Sequence, residues 1–190
     1  TLFPIHLNRP DPPHGSISLL SYNIMGFGGC RKGEQGNAIL NYLKESGADL
    51  LCLQEYATGT DRKRHLMQQD IEKELKEYPY HVITSIGSTK SHTNKLACYS
   101  KYPILSAQPI LYESSYNGSV IYRIRVGKDT LTIVNNHLES NKLTKQDKVV
   151  YEELLTVPEK EKMRSGMKHL IKKLAEASVI RAKQADTLAH

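Results

Sequence analysis

The sequence predicts a layered α/β protein whose middle is an antiparallel meander. Two observations carry this expectation. Between residues 16 and 54 an apolar run, a helical pattern and a second apolar run follow in turn, the strand–helix–strand order of a layered sheet. From residue 80 to 137 five strand-like segments succeed one another with turn signals between them, as antiparallel neighbours do.

Residues 1–15 hold four prolines and read as an extended lead-in. Residues 16–23 (Ser-Ile-Ser-Leu-Leu-Ser-Tyr-Asn) form an apolar strand ending on a polar group. Residues 33–46 read as a helix with Ala38, Ile39, Tyr42 and Leu43 on one face and Gly47 as its stop. The run Ala48-Asp49-Leu50-Leu51-Cys52-Leu53-Gln54-Glu55 predicts a strand over 48–54, buried on both faces, with a carboxylate at its tip. Residues 61–77 give a polar helix with a thin apolar stripe (Leu66, Met67, Ile71, Leu75), closed by Tyr78-Pro79. Strands follow at 80–86, 95–100, 104–111, 119–126 and 130–137. Tyr102-Pro103 separates two of them, and Asn117-Gly118 and Gly127-Lys128-Asp129 supply hairpin turns. From residue 159 onward a long helix places Met163, Met167, Leu170, Leu174 and Ala177 at alternating intervals of four and three, an apolar stripe. The same rhythm reaches Arg181, which on an inward stripe requires an anion or a carbonyl partner.

Three core-type strands thus end on Asn23, Glu55 and His137. A carboxylate at the tip of a buried strand is costly to desolvate unless something positive binds it. Singly, each residue has a plainer reading: a solvated strand end, a turn asparagine, a structural histidine. Together they form a hard-cation and phosphate site, with Glu55 as the metal ligand and Asn23 as a neutral neighbour orienting ion, water or phosphate. Asn135 shares the His137 face by strand alternation, with Asn136 opposite.

The chain of 190 residues is long enough for one substantial core, and 39% hydrophobic residues is ordinary for a globular protein. No apolar run approaches the roughly 18 to 20 residues of a membrane span. The formal charge is +6, and residues 141–190 carry eleven Lys or Arg against seven Asp or Glu, a balance suited to phosphorylated substrates or simply to a solvated lysine-rich helix. Cys30, Cys52 and Cys98 are odd in number and lack metal-type spacing; Cys52 and Cys98 read as buried small hydrophobes.

Four blocks in order carry a resemblance: Leu20-Ser21-Tyr22-Asn23-Ile24; residues 48–55; Leu96-Ala97-Cys98-Tyr99-Ser100-Lys101-Tyr102-Pro103-Ile104; and Val134-Asn135-Asn136-His137-Leu138-Glu139-Ser140. A fifth, weaker block is Arg181-Ala182-Lys183-Gln184-Ala185. They resemble the endonuclease/exonuclease/phosphatase superfamily, with the deoxyribonuclease-I-like fold. The resemblance implies a four-layer αββα sandwich of two mostly antiparallel sheets and a phosphoesterase requiring Mg2+ or Mn2+. It implies His137 at the scissile phosphate, catalytic and metal roles for Glu55 and Asn23, and substrate contacts from Asn135 and Arg181. Arg181 could equally brace the catalytic loops. The family's later Gly-Asp-x-Asn and Ser-Asp-His strings do not occur here. The expectation is therefore that residues 16–190 are the N-terminal two-thirds of a domain incomplete at its C-terminus. Without the general base of those strings, the piece is expected to be nearly inert alone. The blocks resemble in particular a bacterial branch in which membrane-anchoring helices precede such a lead-in.

The substrate stays open among nucleic acid, a phospholipid headgroup and a sugar phosphate. Nuclease members often carry a carboxylate just ahead of the third block, whereas the approach here is Ser91-His92-Thr93-Asn94-Lys95. The chain has no Trp, which weakens base-stacking readout, although eleven tyrosines leave it open. Two other readings remain: a non-catalytic binding module of the same fold, and a basic nucleic-acid-binding domain whose affinity would be strongly salt-dependent.

Overall fold

The structure, a computed structural model, describes residues 13, 15–34, 36–88, 93–147, 149 and 160–189. Most of the proline-rich lead-in lies outside the described residues.

Two sheets form the body. The first runs β1-β2-β4-β3, from β1 (Leu19–Asn23), β2 (Leu50–Gln54), β3 (Tyr80–Ser88) and β4 (Thr93–Ser100); the second runs β5-β6-β7, from β5 (Ile104–Leu111), β6 (Gly118–Val126) and β7 (Asp129–His137). β1 pairs with β2 in parallel, and the other pairings are antiparallel. The mixed α/β class and the two mostly antiparallel sheets agree with the sequence expectation, and six of the seven strands lie within two residues of their expected bounds.

β2 lies between β1 and β4, and all five of its residues are buried. Its side chains alternate. Leu51 and Leu53 join a core with Leu40, Leu43 and Ile71 from the helical layer, while Leu50 packs between the sheets with Leu96, Cys98, Val120, Tyr122 and Ile124. Cys52 and Cys98 face each other across the β2/β4 register, both buried.

The expectation of three core-type strands holds only for β2. β1 is mostly exposed, and in β7 only Ile133, Asn135 and His137 withdraw from solvent. Each pairs with one neighbour among the described residues. An apolar composition marks a strand as β but cannot say how many neighbours it has.

The helices are shorter than their apolar periodicity suggested. α2 spans Ala38–Glu45 rather than 33–46, because Gly33 and Gly36 are left-handed at φ 73° and 85°. Asn37 starts α2, accepting from Leu40 N at 3.0 Å and donating to the Phe27 and Arg31 carbonyls at 2.8 Å. α3 spans Gln68–Glu74; the expected first turns at 61–65 instead fold on the Asp61 carbonyl, which accepts from Arg64 N and His65 N at 3.2 and 2.8 Å.

The hairpin turn expected at Gly127-Lys128-Asp129 forms between β6 and β7 with two residues, Gly127-Lys128, since Asp129 already pairs with Val126; Gly127 is at φ 60°. Asn117-Gly118 does not make one. Leu111 pairs with Gly118, so residues 112–117 form a six-residue connection. It docks so closely on β3 that a Cβ on Gly87 would lie 2.3 Å from the Ser115 carbonyl oxygen.

The long helix α4 spans Lys160–Ala189. Its stripe is not a core face: Met167 is 48% exposed and Leu174 38%, and only Ala177 is fully buried. The Met163 side chain lies outside the described residues. Polar contacts with residues 139–147 hold the helix instead. Among the described residues no helix is long and apolar enough to cross a membrane.

Candidate active site

Asn23 and Glu55 meet because β1 and β2 are parallel and in register, with Asn23 opposite Gln54. Glu55 is the first residue beyond β2 and adopts φ 53°. A left-handed conformation costs a non-glycine residue about 1–2 kcal/mol. Here it is fixed by the Glu55 carbonyl, which accepts from Gly26 N at 2.8 Å. The strain sits at the carboxylate that the site is built around.

Gly26 belongs to α1 (Met25–Gly29), a left-handed turn in which Gly26, Phe27 and Gly28 have φ 59°, 55° and 68°. Phe27 offsets its unfavourable backbone by burying its ring against Tyr56, centroids 5.5 Å apart. A ring of that size contributes about 1.5–3 kcal/mol on burial.

His137 arrives from the other sheet. Its Nε2 lies 3.2 Å from Glu55 Oε1, the oxygen that also accepts from Asn23 Nδ2 at 2.8 Å. The three strand ends therefore converge on one carboxylate oxygen. His137 is 17% exposed at its side chain and Glu55 39%. On the far side of the ring, Nδ1 lies 3.1 Å from the Tyr116 carbonyl, 3.3 Å from Asn94 Nδ2 and 3.4 Å from Asn117 Nδ2. One acceptor and two donors thus surround Nδ1, so the ring is held whether or not Nδ1 carries a proton. Nε2 remains directed at Glu55, an arrangement suited to proton transfer.

Asn94, Asn117 and the Tyr116 carbonyl were not legible as site groups. Asn94 occupies the approach to the third block where nuclease members often carry a carboxylate, and Asn117 reads locally as a turn residue. Only the pairing of β6 with β7 and the stacking of the β4 sheet against theirs bring them to one ring.

Asn135 does not reach the mouth. It is 2% exposed, accepts from Gln54 Nε2 at 2.6 Å, and directs its own amide at the Leu53 and Ala97 carbonyls at 3.4 and 3.3 Å. The face assignment was right, but at that depth the face looks into the space between the sheets. Asn135 is a positioning residue. Gln54 precedes Glu55 and Asn135 lies two before His137, so their bond fixes one sheet's register against the other beside the site. Arg181 also turns away from the cleft, to the Glu139 carbonyl at 3.4 Å, to Asn141, and to Ser178 Oγ at 3.2 Å. With Gln184, whose Oε1 accepts from Glu139 N at 2.8 Å, it braces the loop after β7.

Asp49 explains another motif residue without chemistry. It accepts from Ser18 N and Oγ at 2.8 Å each and meets Lys101 Nζ at 3.3 Å, tying the residue before β1 and the residue after β4 to the entry of β2. The Ser18 N–H holds its carboxyl below the usual carboxylate range.

Glu55 and His137 line a cleft of about 800 Å³, with α1, Asn94, residues 114–117 and the loop after β7 on its walls. Among the described residues no group of three or more His, Cys, Asp or Glu converges to hold a metal. The Glu55 carboxylate offers hard oxygen donors of the kind a hydrated Mg2+ takes, whereas Asn23 turns its amide to Glu55 and its oxygen to Met25 N at 3.1 Å.

A sequence profile of the Endonuclease/Exonuclease/phosphatase family matches residues 20–164, well over half of the chain. The chain belongs to this family. Its members hydrolyse phosphoester bonds and typically depend on divalent metals. Among solved structures, the chain is similar to an endonuclease/exonuclease/phosphatase from Beutenbergia cavernae DSM 12333, at 14% identity and TM-score 0.50, over 74% of this chain and 44% of that one. It is also similar to Caenorhabditis elegans TDP2, at 20% identity and TM-score 0.43, over 75% and 44%. A third likeness is D. rerio TDP2 complexed with single strand DNA product, at 18% identity and TM-score 0.45, over 75% and 56%. At these identities the likeness concerns the fold alone. The chain spans about half the length of these proteins. No curated protein matches it by sequence.

Proposed function

We propose that the natural polypeptide carrying this chain is a divalent-metal-dependent phosphoesterase acting at the Glu55–His137 cleft. The observation that supports this best is the meeting of Asn23, Glu55 and His137 on Glu55 Oε1, from strand ends of two different sheets. The charge on the cleft favours the same reading. Its walls carry Glu55 and Glu139 against one lysine, Lys142, so a phosphate ester gains no net attraction from the described side chains. A divalent cation on Glu55 reverses that balance.

In this reading Glu55 holds Mg2+ or Mn2+, and Asn23 fixes the carboxylate through its amide. The ion, when bound, supplies charge neutralisation at the phosphoryl oxygens and a polarised water. His137 stands where its Nε2 can contact the scissile phosphate or move a proton, with the ring orientation set by Asn94, Asn117 and Tyr116. The base that activates the attacking water is expected from the Asp and His strings outside this chain, so activity belongs to the whole polypeptide.

With Mg2+ and a generic phosphodiester, Glu55→Gln in that polypeptide is expected to abolish turnover and leave the melting temperature unchanged, since it removes a charge and opens no cavity. His137→Ala is expected to lower turnover by more than about 10²-fold per folded molecule. Unchanged turnover in Glu55→Gln, or full activity in excess chelator, would overturn the assignment.

A further inference from the structure

Two buried thiols take no part in the cleft chemistry. Cys98 belongs to the apolar space between the sheets, with Leu50, Leu96, Val120, Tyr122 and Ile124. Cys52 lies two residues beyond Leu50 on β2, so its side chain faces the same space. Cys52 is 2% exposed and Cys98 0%, and both are free thiols.

The strand register sets how closely they stand. Cys52 is directly opposite Cys98 in the antiparallel β2/β4 ladder. Just beyond the end of that ladder, Lys101 N donates to the Asp49 carbonyl at 3.0 Å. Hydrogen-bonded and non-hydrogen-bonded pairs alternate along antiparallel strands. Inward from the bonded Asp49/Lys101 pair, Leu50/Ser100 is therefore non-hydrogen-bonded, Leu51/Tyr99 hydrogen-bonded and Cys52/Cys98 non-hydrogen-bonded. Cα atoms of a non-hydrogen-bonded pair lie about 4.5 Å apart, with their side chains close together. A disulfide spans Cα atoms roughly 4.4–6.8 Å apart, so these two sulfurs can join without displacing either strand.

The surroundings decide when such a bond can form. Thiolate is the attacking species in disulfide chemistry. A hydrogen bond with Cys52, together with burial, pushes the Cys98 thiol well above its ordinary range. Thiolate is thus scarce in the folded protein, and almost no solvent reaches either sulfur. Both conditions slow oxidation of the finished fold, and both shield a finished bond from reductants. The chemistry belongs to the folding chain, in which the thiols are still open to water.

We propose that Cys52 and Cys98 form an intramolecular disulfide as the chain folds in oxidising surroundings, clamping β4 to the strand that carries Glu55 at its end. The oxidant is hydrogen peroxide or a low-molecular-weight disulfide. With peroxide, the two thiols give up their hydrogens, the S–S bond forms, and the O–O bond breaks to leave two waters. With a small disulfide, two successive exchanges move the S–S bond to the protein and release two small thiols. Cys30 stays outside the bond, with its Sγ donating to the Ala57 carbonyl at 3.4 Å.

The test synthesises the natural full-length polypeptide in a cell-free system, with either a reduced/oxidised glutathione couple or dithiothreitol. Each chain then folds with its thiols accessible, so burial cannot hide the pair. After alkylation in denaturant and digestion, the glutathione product should yield Cys52 and Cys98 in one cross-linked peptide, with Cys30 alkylated. The dithiothreitol product should yield all three alkylated. Cys30→Ala is expected to keep the cross-link, and Cys52→Ala and Cys98→Ala to lose it. The disulfide form should melt about 5 °C or more above the reduced form, the scale of closing residues 53–97 into a loop. Its bond should survive dithiothreitol until denaturant is added. Alkylated Cys52 and Cys98 in the glutathione product, a bond through Cys30, or a disulfide form melting below the reduced one would overturn the inference.

Discussion

The inter-sheet seam beside Glu55 and the long helix α4 are held by opposite means. At the seam, β2 is buried on both faces, and Gln54 and Asn135 bond to each other at 2.6 Å and to neighbouring carbonyls. On the apolar stripe of α4, Met167 and Leu174 face solvent, and the helix is tethered by charge and hydrogen bonds. Asp147 accepts from Thr144 Oγ1 at 2.7 Å and meets Lys173 Nζ at 2.6 Å and His169 Nε2 at 3.0 Å, while Arg181 and Gln184 hold the loop after β7. Apolar burial is insensitive to direction and tolerates few alternatives at a packed site. Polar tethers are directional, local and open to titration. The Glu55–His137 pair stands on the first kind of support, and one wall of its cleft on the second.

Three measurements break or sharpen this contrast. The largest effect is expected from Leu51→Ala, which leaves a cavity under the helical layer at a fully buried position. It should cost about 2–5 kcal/mol in urea unfolding; a loss below about 1 kcal/mol would mean that β2 is not the centre of the core. Gln54→Leu comes next. It strands the buried Asn135 carboxamide oxygen and should cost about 1–3 kcal/mol, whereas adding Asn135→Leu should restore part of the loss. Strict additivity in that cycle would show that the cross-sheet bond contributes nothing.

The smallest global effect is expected at α4. Asp147→Asn should leave the unfolding midpoint nearly unchanged but raise hydrogen exchange across residues 166–180. The Lys173 ammonium and the Thr144 N–H hold the Asp147 carboxyl well below the usual carboxylate range. Because the folded value is lowered, its contribution is fully present above about pH 4, the unfolded value, and is lost as pH falls through the folded one. Protection of α4 in the unaltered protein should therefore persist to about pH 4 as far as Asp147 is concerned. A collapse of protection well above about pH 4 would show that the Asp147 carboxylate is not the tether.

Much of the fold was legible because strand and turn chemistry are local. The run at residues 48–54 read as a doubly buried strand, the turn signal at Gly127-Lys128-Asp129 closed a hairpin, and Asn23, Glu55 and His137 were each readable as polar groups at the tips of apolar strands. The misses share one cause. Helix 33–46 lost its first turn to Gly33 and Gly36, whose left-handed backbone is a choice the periodicity does not register. The stripe on α4 obeyed the helical period and yet found no core, since amphipathicity says which face is apolar but not what covers it.

By itself the sequence determined the elements, their order, the family, and which side chains stand at strand ends, because those follow from periodicity and from motif residues in fixed spacing. Tertiary structure decided the rest. It chose which edges stay open and sent Asn135 inward to Gln54, Arg181 to the Glu139 carbonyl, and Asn94 and Asn117 to the far side of the His137 ring. These are contacts between residues dozens of positions apart, set by strand register and sheet stacking. The physical reason is that a polar side chain fixes its own need for a partner, while only the packed chain fixes which partner is within reach.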